Sequence, residues 1–570
     1  MSDARVTAAP FLDRLDPLAY PQRVREIART ARELAGTGEL AALIRELDGR
    51  GAYERGTGAL LACVGRDTGW VASHLADPDS FVRGHALRAA QGLPVPDAAF
   101  ETALHDAPAV VRAGILRHLA RGRRPALADR LVDTVRDQWG DTEAAKLLPG
   151  CSPDVVARLL PQVFHAVRGW SGLARRHPET LLDVAERALA ALPPTARTRW
   201  CEHHARMLTA LAPAHPRRVL GLLDTYPADR LPYRIGSCLA VLAQADPARV
   251  LRWYAGPWRR SLPGPRQLSP SALRTLARSG APELADWART LAAHPDDLAA
   301  LLNAQAPADR WATYETATAG RGADHEGVHT AVLDALPHRH VATVARHAAR
   351  TARQRGDDWL TVLTAESYLP TAEAQEALSA ATRRPRAEER AAVWPLSVRH
   401  TARTGDPAAT TALAEELAGR LRNEQDLVRG AALRALADDV HPRLWEPAAL
   451  PHLDRLVTDA LQARDRSYPT SGAVSRLALG ILREHAAGPG TEHATWALDA
   501  LTALHGHSGG RDLGRLDRTL RRGQERDVYA VLRPRIESDA AKREYGLVLA
   551  LARATGRRAA GVEELQDWLR

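Results

Sequence analysis

Apolar residues recur along this chain at the three-and-four spacing of an α-helix face. Leu181, Val184, Ala185 and Ala188 form one stripe, and Leu413, Leu417 and Leu421 form another at i, i+4 and i+8. No alternating Val/Ile run and no Asn-Gly turn interrupts the pattern, so it predicts helices and no sheet. The helix starts are also written in the chain. A polar residue followed by Pro precedes an apolar run at Asp77-Pro78, Ser152-Pro153, His177-Pro178, His215-Pro216, Asp246-Pro247, His294-Pro295 and Asp406-Pro407. A Ser or Asp can accept the free amides of a helix N-terminus, and Pro at the first helical position sacrifices no hydrogen bond.

The helices repeat. Val82-Arg83-Gly84 with Leu87 and Arg88 returns as Val428-Arg429-Gly430 with Leu433 and Arg434, and more weakly as Val111-Arg112 with Ile115. Arg112 follows Arg83 by 29 residues, and Val428 follows Val398 by 30. One helix–turn–helix unit needs about that length, two helices of roughly 12 residues with two short turns. These segments resemble HEAT repeats, in which an Asp of the inter-helix turn precedes a Val-Arg pair opening the second helix. Asp77 stands six residues before Arg83 and Asp106 six before Arg112, while Asn423 takes that place before Arg429. The resemblance implies an armadillo-like, all-α, right-handed solenoid of stacked antiparallel helix pairs. It also implies a structural ladder of Asp77, Arg83, Asp106, Arg112 and Arg429 linking neighbouring turns. The densest run of Pro and Gly, 255–270, predicts a loop between an N-terminal array, 1–254, and a C-terminal array, 271–570, continuous with the first.

Composition changes this picture little. At 570 residues the chain is several times one ordinary core, as a repeat array requires. The net charge of +9 admits a polyanionic partner. It is dilute, however, and almost wholly arginine, Lys146 and Lys542 being the only lysines. Cys63, Cys151, Cys201 and Cys238 are scattered and suggest no disulfide framework, which fits a reducing, cytoplasmic setting. No leader-like or membrane-spanning apolar run is apparent, so no membrane partner is expected.

Candidate chemistry is sparse. His325, Glu326 and His329 match H-E-x-x-H, which on a helix sets two histidines one turn apart for a zinc, with Glu326 polarising a water. No third ligand follows at a known spacing, so His325 and His329 are weak metal candidates and no cofactor is expected. A single His-Glu dipeptide also falls short of the several that deoxyhypusine hydroxylase, a HEAT-repeat di-iron enzyme, would require. Gly506, Ser508 and Gly510 fit G-x-S-x-G, but a helical run precedes them where a nucleophile elbow needs a strand. Cys201 with His203 and His204 reads as helix packing.

Arginine pairs are the commonest polar feature. Arg175-Arg176, Arg217-Arg218 and Arg259-Arg260 are spaced by 42 residues, and on one ridge they would form a track for phosphates or an acidic protein. Trp253 and Trp258 beside Arg259 and Arg260 make the best aromatic cluster for a binding hot spot. Arg466 and Tyr468 stand out in the polar stretch 464–472, read as a loop. The expectation is a non-enzymatic scaffold presenting a concave helical surface to a protein partner. A nucleic-acid-binding protein using the arginine track is the alternative, and a metal-dependent enzyme comes third. Oligomeric state is left open.

Overall fold

The computed structural model describes residues 6–319, 329–485, 492–506 and 513–570, and every regular element among them is helical. The chain forms two compact units, Met1–Thr290 and Leu291–Arg570.

Within the first unit the helices alternate between two rows. Tyr20–Glu33 packs on Ala52–Val64, that helix on Ser80–Ala89, that on Ala109–Leu119, and that on Asp141–Leu147. The intervening helices Gly38–Asp48, Thr68–Ser73 and Asp97–Leu104 pack on the members that follow them. Ala52–Val64, Ser80–Ala89 and Ala109–Leu119 thus each touch a hairpin partner and the next of their own row, the contact pattern of a helical-repeat solenoid. Further along, the Pro-initiated helices Pro153–Val163, Pro178–Ala191 and Pro216–Thr225 stack in one row. The second unit repeats the scheme, with Ala387–Thr404, Asp426–Asp439 and Tyr468–His485 in one row and Pro407–Arg420, Leu450–Gln462 and Glu492–Gly506 in the other.

The sequence stripes are the buried faces. Leu181, Ala185, Leu417, Val82 and Val428 are all fully buried. The caps are more varied than expected. Asp246 and Asp406 accept from Arg249 N and Ala408 N, but Ser152 makes no such bond. Pro78 precedes its helix instead of opening it, and Asp79 is the cap, accepting from Phe81 N at 2.8 Å. The Pro/Gly-rich stretch folds as two 3₁₀ turns, Pro257–Ser261 and Pro265–Gln267, within the first unit.

The Asp–Arg ladder is rewired. Arg83 donates to the main-chain carbonyl of Asp77 at 2.5 Å, while the Asp77 carboxylate is gripped by Arg55 at 2.9 Å. Asp106 has no ladder role: its side chain is 93% exposed, beside His105, at φ +50°. Arg112 donates to Ala107 O, stacks on Trp139 and approaches Glu143 at 3.8 Å. Asn423 is exposed, and Arg429 instead reaches forward to Asp465 at 3.1 Å. Arg390, which the sequence did not mark, follows the same rule, binding the Arg384 and Pro385 carbonyls and the Glu424 carboxylate. The recurring device is therefore an arginine early in a helix that ties its own turn's carbonyls, the next turn's carboxylate, or both.

Close helix approach in the first unit depends on Gly150. A Cβ there would meet the Leu119 carbonyl and lie 3.0 Å from Ala120 Cα, neither of which can swing aside. Gly150→Ala is expected to destabilise this unit by about 1–3 kcal/mol through overpacking, measured by urea unfolding. An unchanged midpoint would refute the close contact.

Candidate functional site

Three adjoining cavities lie along the helix Ala387–Thr404 in the second unit. The first, of about 540 Å³, is lined by Thr330, Asp334, Tyr368, Arg399, Arg403, Asp438 and Asp439 among others. The second, of about 500 Å³, shares Asp334, Tyr368 and Arg403 with it and adds Leu333, Leu336, Val341, Ala342 and Leu369. A smaller one, of about 220 Å³, shares Thr371, His400 and Thr404 with the second. Together they make a trough with a charged end, an apolar middle and a hydroxyl-rich far end.

Tyr368 organises the shared wall. Its hydroxyl donates to Asp334 Oδ1 at 2.9 Å, and the Arg403 guanidinium stacks 3.6 Å from its ring centre. Burial pushes the Tyr368 phenol up, so it stays protonated and a donor. Arg403 also reaches Asp334 at 3.4 Å and the Ser367 carbonyl at 3.3 Å. Arg399 pairs with Asp439 at 2.9 Å, and Asp438 is held by Arg476 at 2.8 Å. Both arginines lining the trough are therefore already matched to carboxylates.

The residues singled out in the sequence lie elsewhere. Trp253 and Trp258 are buried, edge to face at 5.4 Å, and donate inward to Asp224 and the Ala228 carbonyl, so they act as core and not as a surface anchor. Arg259 and Arg260 are exposed on the following 3₁₀ turn. Arg175-Arg176 ends a helix, Arg217-Arg218 opens one, and Arg259-Arg260 lies in a turn, so the 42-residue spacing is not a structural period. In the first two pairs the second member is anchored: Arg176 donates to the Pro149 carbonyl, and Arg218 binds Glu179, Asp183 and Glu186. Arg175 and Arg217 are exposed. Arg218 is one-third exposed, and Arg218→Ala is expected to cost under about 1 kcal/mol by thermal melting. A loss several times larger would show that the cluster acts as a buried network.

The stretch 464–472 is shorter as a loop than expected, because the helix Tyr468–His485 begins inside it. Tyr468 is 91% exposed, while Arg466 folds back onto the Leu461 carbonyl. His325 and Glu326 lie outside the described residues, as do 507–510 of the glycine-rich match; His329 is the residue before the helix Thr330–Ala335. Among the described residues no group of three or more His, Cys, Asp or Glu side chains is placed to hold a metal ion. Cys201 is buried, and His204 sits in an aromatic cage of Phe164, Trp170 and Trp200. No described helix is long and apolar enough to cross a membrane.

No protein-family model matches the chain, and no curated protein sequence does. Among solved structures it is similar to the karyopherin Kap121p bound to the SUMO protease Ulp1p, at 12% identity over 97% of this chain and 70% of that one, with a TM-score of 0.29. It is also similar to the pentatricopeptide repeat protein PPR10 in complex with an 18-nt psaJ RNA element, at 14% identity over 98% and 97% of the two chains, with a TM-score of 0.22. A structure of PPR10 from maize gives 12% identity over 98% of each chain and a TM-score of 0.20.

Proposed function

We propose that this helical-repeat chain is a non-enzymatic binding protein whose trough along Ala387–Thr404 takes an extended polypeptide segment. The observation that carries the reading is the pairing of the trough's cations: Arg399 with Asp439 and Arg403 with Asp334. A phosphate backbone needs unpaired cations to release its counterions, and this wall presents none among the side chains that line it. An apolar side chain flanked by peptide groups suits it better. Leu333, Leu336, Val341 and Leu369 would receive that side chain, and Asp334 and Tyr368 would bond the adjacent backbone. The exposed arginines Arg175, Arg217, Arg259 and Arg260 lie in the other unit and keep the nucleic-acid reading as the alternative.

Peptide display on the purified full chain tests this. Enriched peptides should share an apolar position, and Ala342→Glu, with melting little changed, and Leu369→Arg should each weaken them by about tenfold or more. Peptides that bind both variants like the parent would overturn the site. Submicromolar, steeply salt-dependent binding of RNA or DNA near 50 mM salt, without peptide enrichment, would replace the reading with the nucleic-acid one.

A further inference from the structure

The helices Ala52–Val64, Ser80–Ala89 and Ala109–Leu119 of the first unit carry the same kind of exposed residue at the same register. Two residues before Arg55, Arg83 and Arg112, the arginines that tie the turns, stand Tyr53, Phe81 and Val110, which are 44%, 53% and 70% exposed. The next residues, Val82 and Val111, are buried, so the core uses them and leaves Phe81 and Val110 to solvent. The Phe81 ring leans back over the preceding helix, where a Cβ on Gly56 would come within 3.0 Å of it, and so reaches the turn that carries Tyr53. The second unit follows the same rule at Leu427, two residues before Arg429, which is 53% exposed beside the buried Val428.

A basic row runs parallel to this apolar one. Arg88 and Arg117 follow Phe81 and Val110 by seven residues, two helical turns and about 10 Å along the axis, and Arg121 lies four residues beyond Arg117. All three are exposed, and no described side chain or carbonyl pairs with their guanidinium groups. Between the rows lie Gly84, His85, Ala113 and Gly114, and of these only His85 rises from the floor, against the Phe81 ring at 4.6 Å. Large apolar side chains repeated in solvent at one register do nothing for the core, and unpaired arginines beside them attract carboxylates.

The spacing selects the occupant. An extended strand occupies only about 5 Å across its width, too narrow to touch rows about 10 Å apart. An α-helix is about 10–12 Å across with its side chains and reaches both. Its seven-residue repeat of about 10 Å also matches the step of about 8–10 Å from one packed helix to the next. A nucleic acid suits the face less well, because Val110 offers no ring for a base to stack on and the Asp79 carboxylate, which caps the helix at Phe81 N, would repel a phosphate there.

We propose that the outward face built from Tyr53, Phe81 and Val110 with Arg88 and Arg117 docks an acidic amphipathic helix of a partner protein, laid across the three helices with its apolar stripe on the first row and its carboxylates on the second. This surface lies in the first unit and stands apart from the trough, so either can fail alone.

The test is selection on the purified full chain from a displayed library of helical peptides of about 20 residues, long enough to cross three helices. Clones with Leu, Ile or Phe along one stripe and Asp or Glu on one flank should be enriched and should bind in the micromolar range or tighter by fluorescence anisotropy. Val110→Glu should weaken them by about tenfold or more, and Arg88→Glu combined with Arg117→Glu should do the same and flatten the salt dependence. All three positions are exposed, so melting should not change. Ala342→Glu should leave this binding intact, and peptides selected for the trough should bind Val110→Glu like the parent, which separates the two sites. No enrichment of acidic amphipathic clones, or clones that bind Val110→Glu and the double arginine variant as tightly as the parent, would overturn the proposal. So would an oligouridylate RNA of about 20 nucleotides that binds with submicromolar affinity, in place of the peptides, and is lost in the double arginine variant.

Discussion

Between pH 6.5 and 4 the first unit is expected to lose several kcal/mol of stability through His118 and His204. Burial is the main cause in both, with Arg121 and Arg124 adding repulsion at His118, and each pKa is lowered to about 4. An imidazole whose folded pKa lies below its ordinary 6.5 is neutral in the fold and takes up its proton more readily when unfolded. Its contribution is therefore complete above pH 6.5, falls as the pH drops, and is gone below about 4. The linkage amounts to about 2 kcal/mol per residue by pH 5 and about 3 by pH 4. His204→Phe should suit the cage of Phe164, Trp170 and Trp200 and remove one share of this dependence. Urea unfolding at pH 7 and pH 5 reads the effect directly. Equal unfolding free energies at the two values, or the same slope in His204→Phe, would contradict it.

Arg429→Ala is expected to destabilise the second unit by about 3 kcal/mol. The Arg429 side chain is 3% exposed and bonds Asp465 Oδ1 at 3.1 Å. The other oxygen of Asp465 accepts from Asp426 N at 2.8 Å, and Asp426 in turn holds Ser467 N at 3.0 Å and Thr470 Oγ at 2.9 Å. Truncation removes the cation, opens a cavity and leaves the Asp465 carboxylate of this junction without its counter-charge. The lower part of the usual range for breaking a buried pair applies, because Asp465 keeps access to water. Arg429→Met restores volume and should recover part of the loss. Hydrogen exchange should show the helix starts at Asp426 and Tyr468 opening together. Exchange unchanged at both starts, with an unaltered melting midpoint, would refute the junction.

The residues that could be read in the sequence share one property: their roles are fixed by neighbours a few positions away. Leu413 and Leu417 face the core because of helical period, and Asp406 and Pro407 start their helix by local hydrogen bonding and a fixed φ. The ladder was half legible on the same ground. Val82-Arg83 and Val428-Arg429 mark helix starts, but the carboxylate that Arg55, Arg390 or Arg429 meets lies 22, 34 or 36 residues away. No local signal specifies such a partner. Trp253 and Trp258 look like hot-spot residues by type, yet their indoles found Asp224 and the Ala228 carbonyl inside the unit. The smallest cavity did leave a trace. Thr371, Gln375, Ser379 and Thr382 recur at helical spacing, and so do Ser397, Thr401 and Thr404, as polar stripes beside the buried Ala374, Leu378 and Ala381 and the buried Trp394 and Val398.

By itself, then, the sequence determined an all-helical repeat chain, the position of many helix starts and which stripe of each helix is buried, since period, capping and proline geometry act over a single turn. Tertiary structure decided which arginines are spent on carboxylates, which tryptophans are core, and where three helices leave a groove between them. Those outcomes depend on side chains brought together across whole repeats, where burial and pairing are settled by packing rather than by residue type.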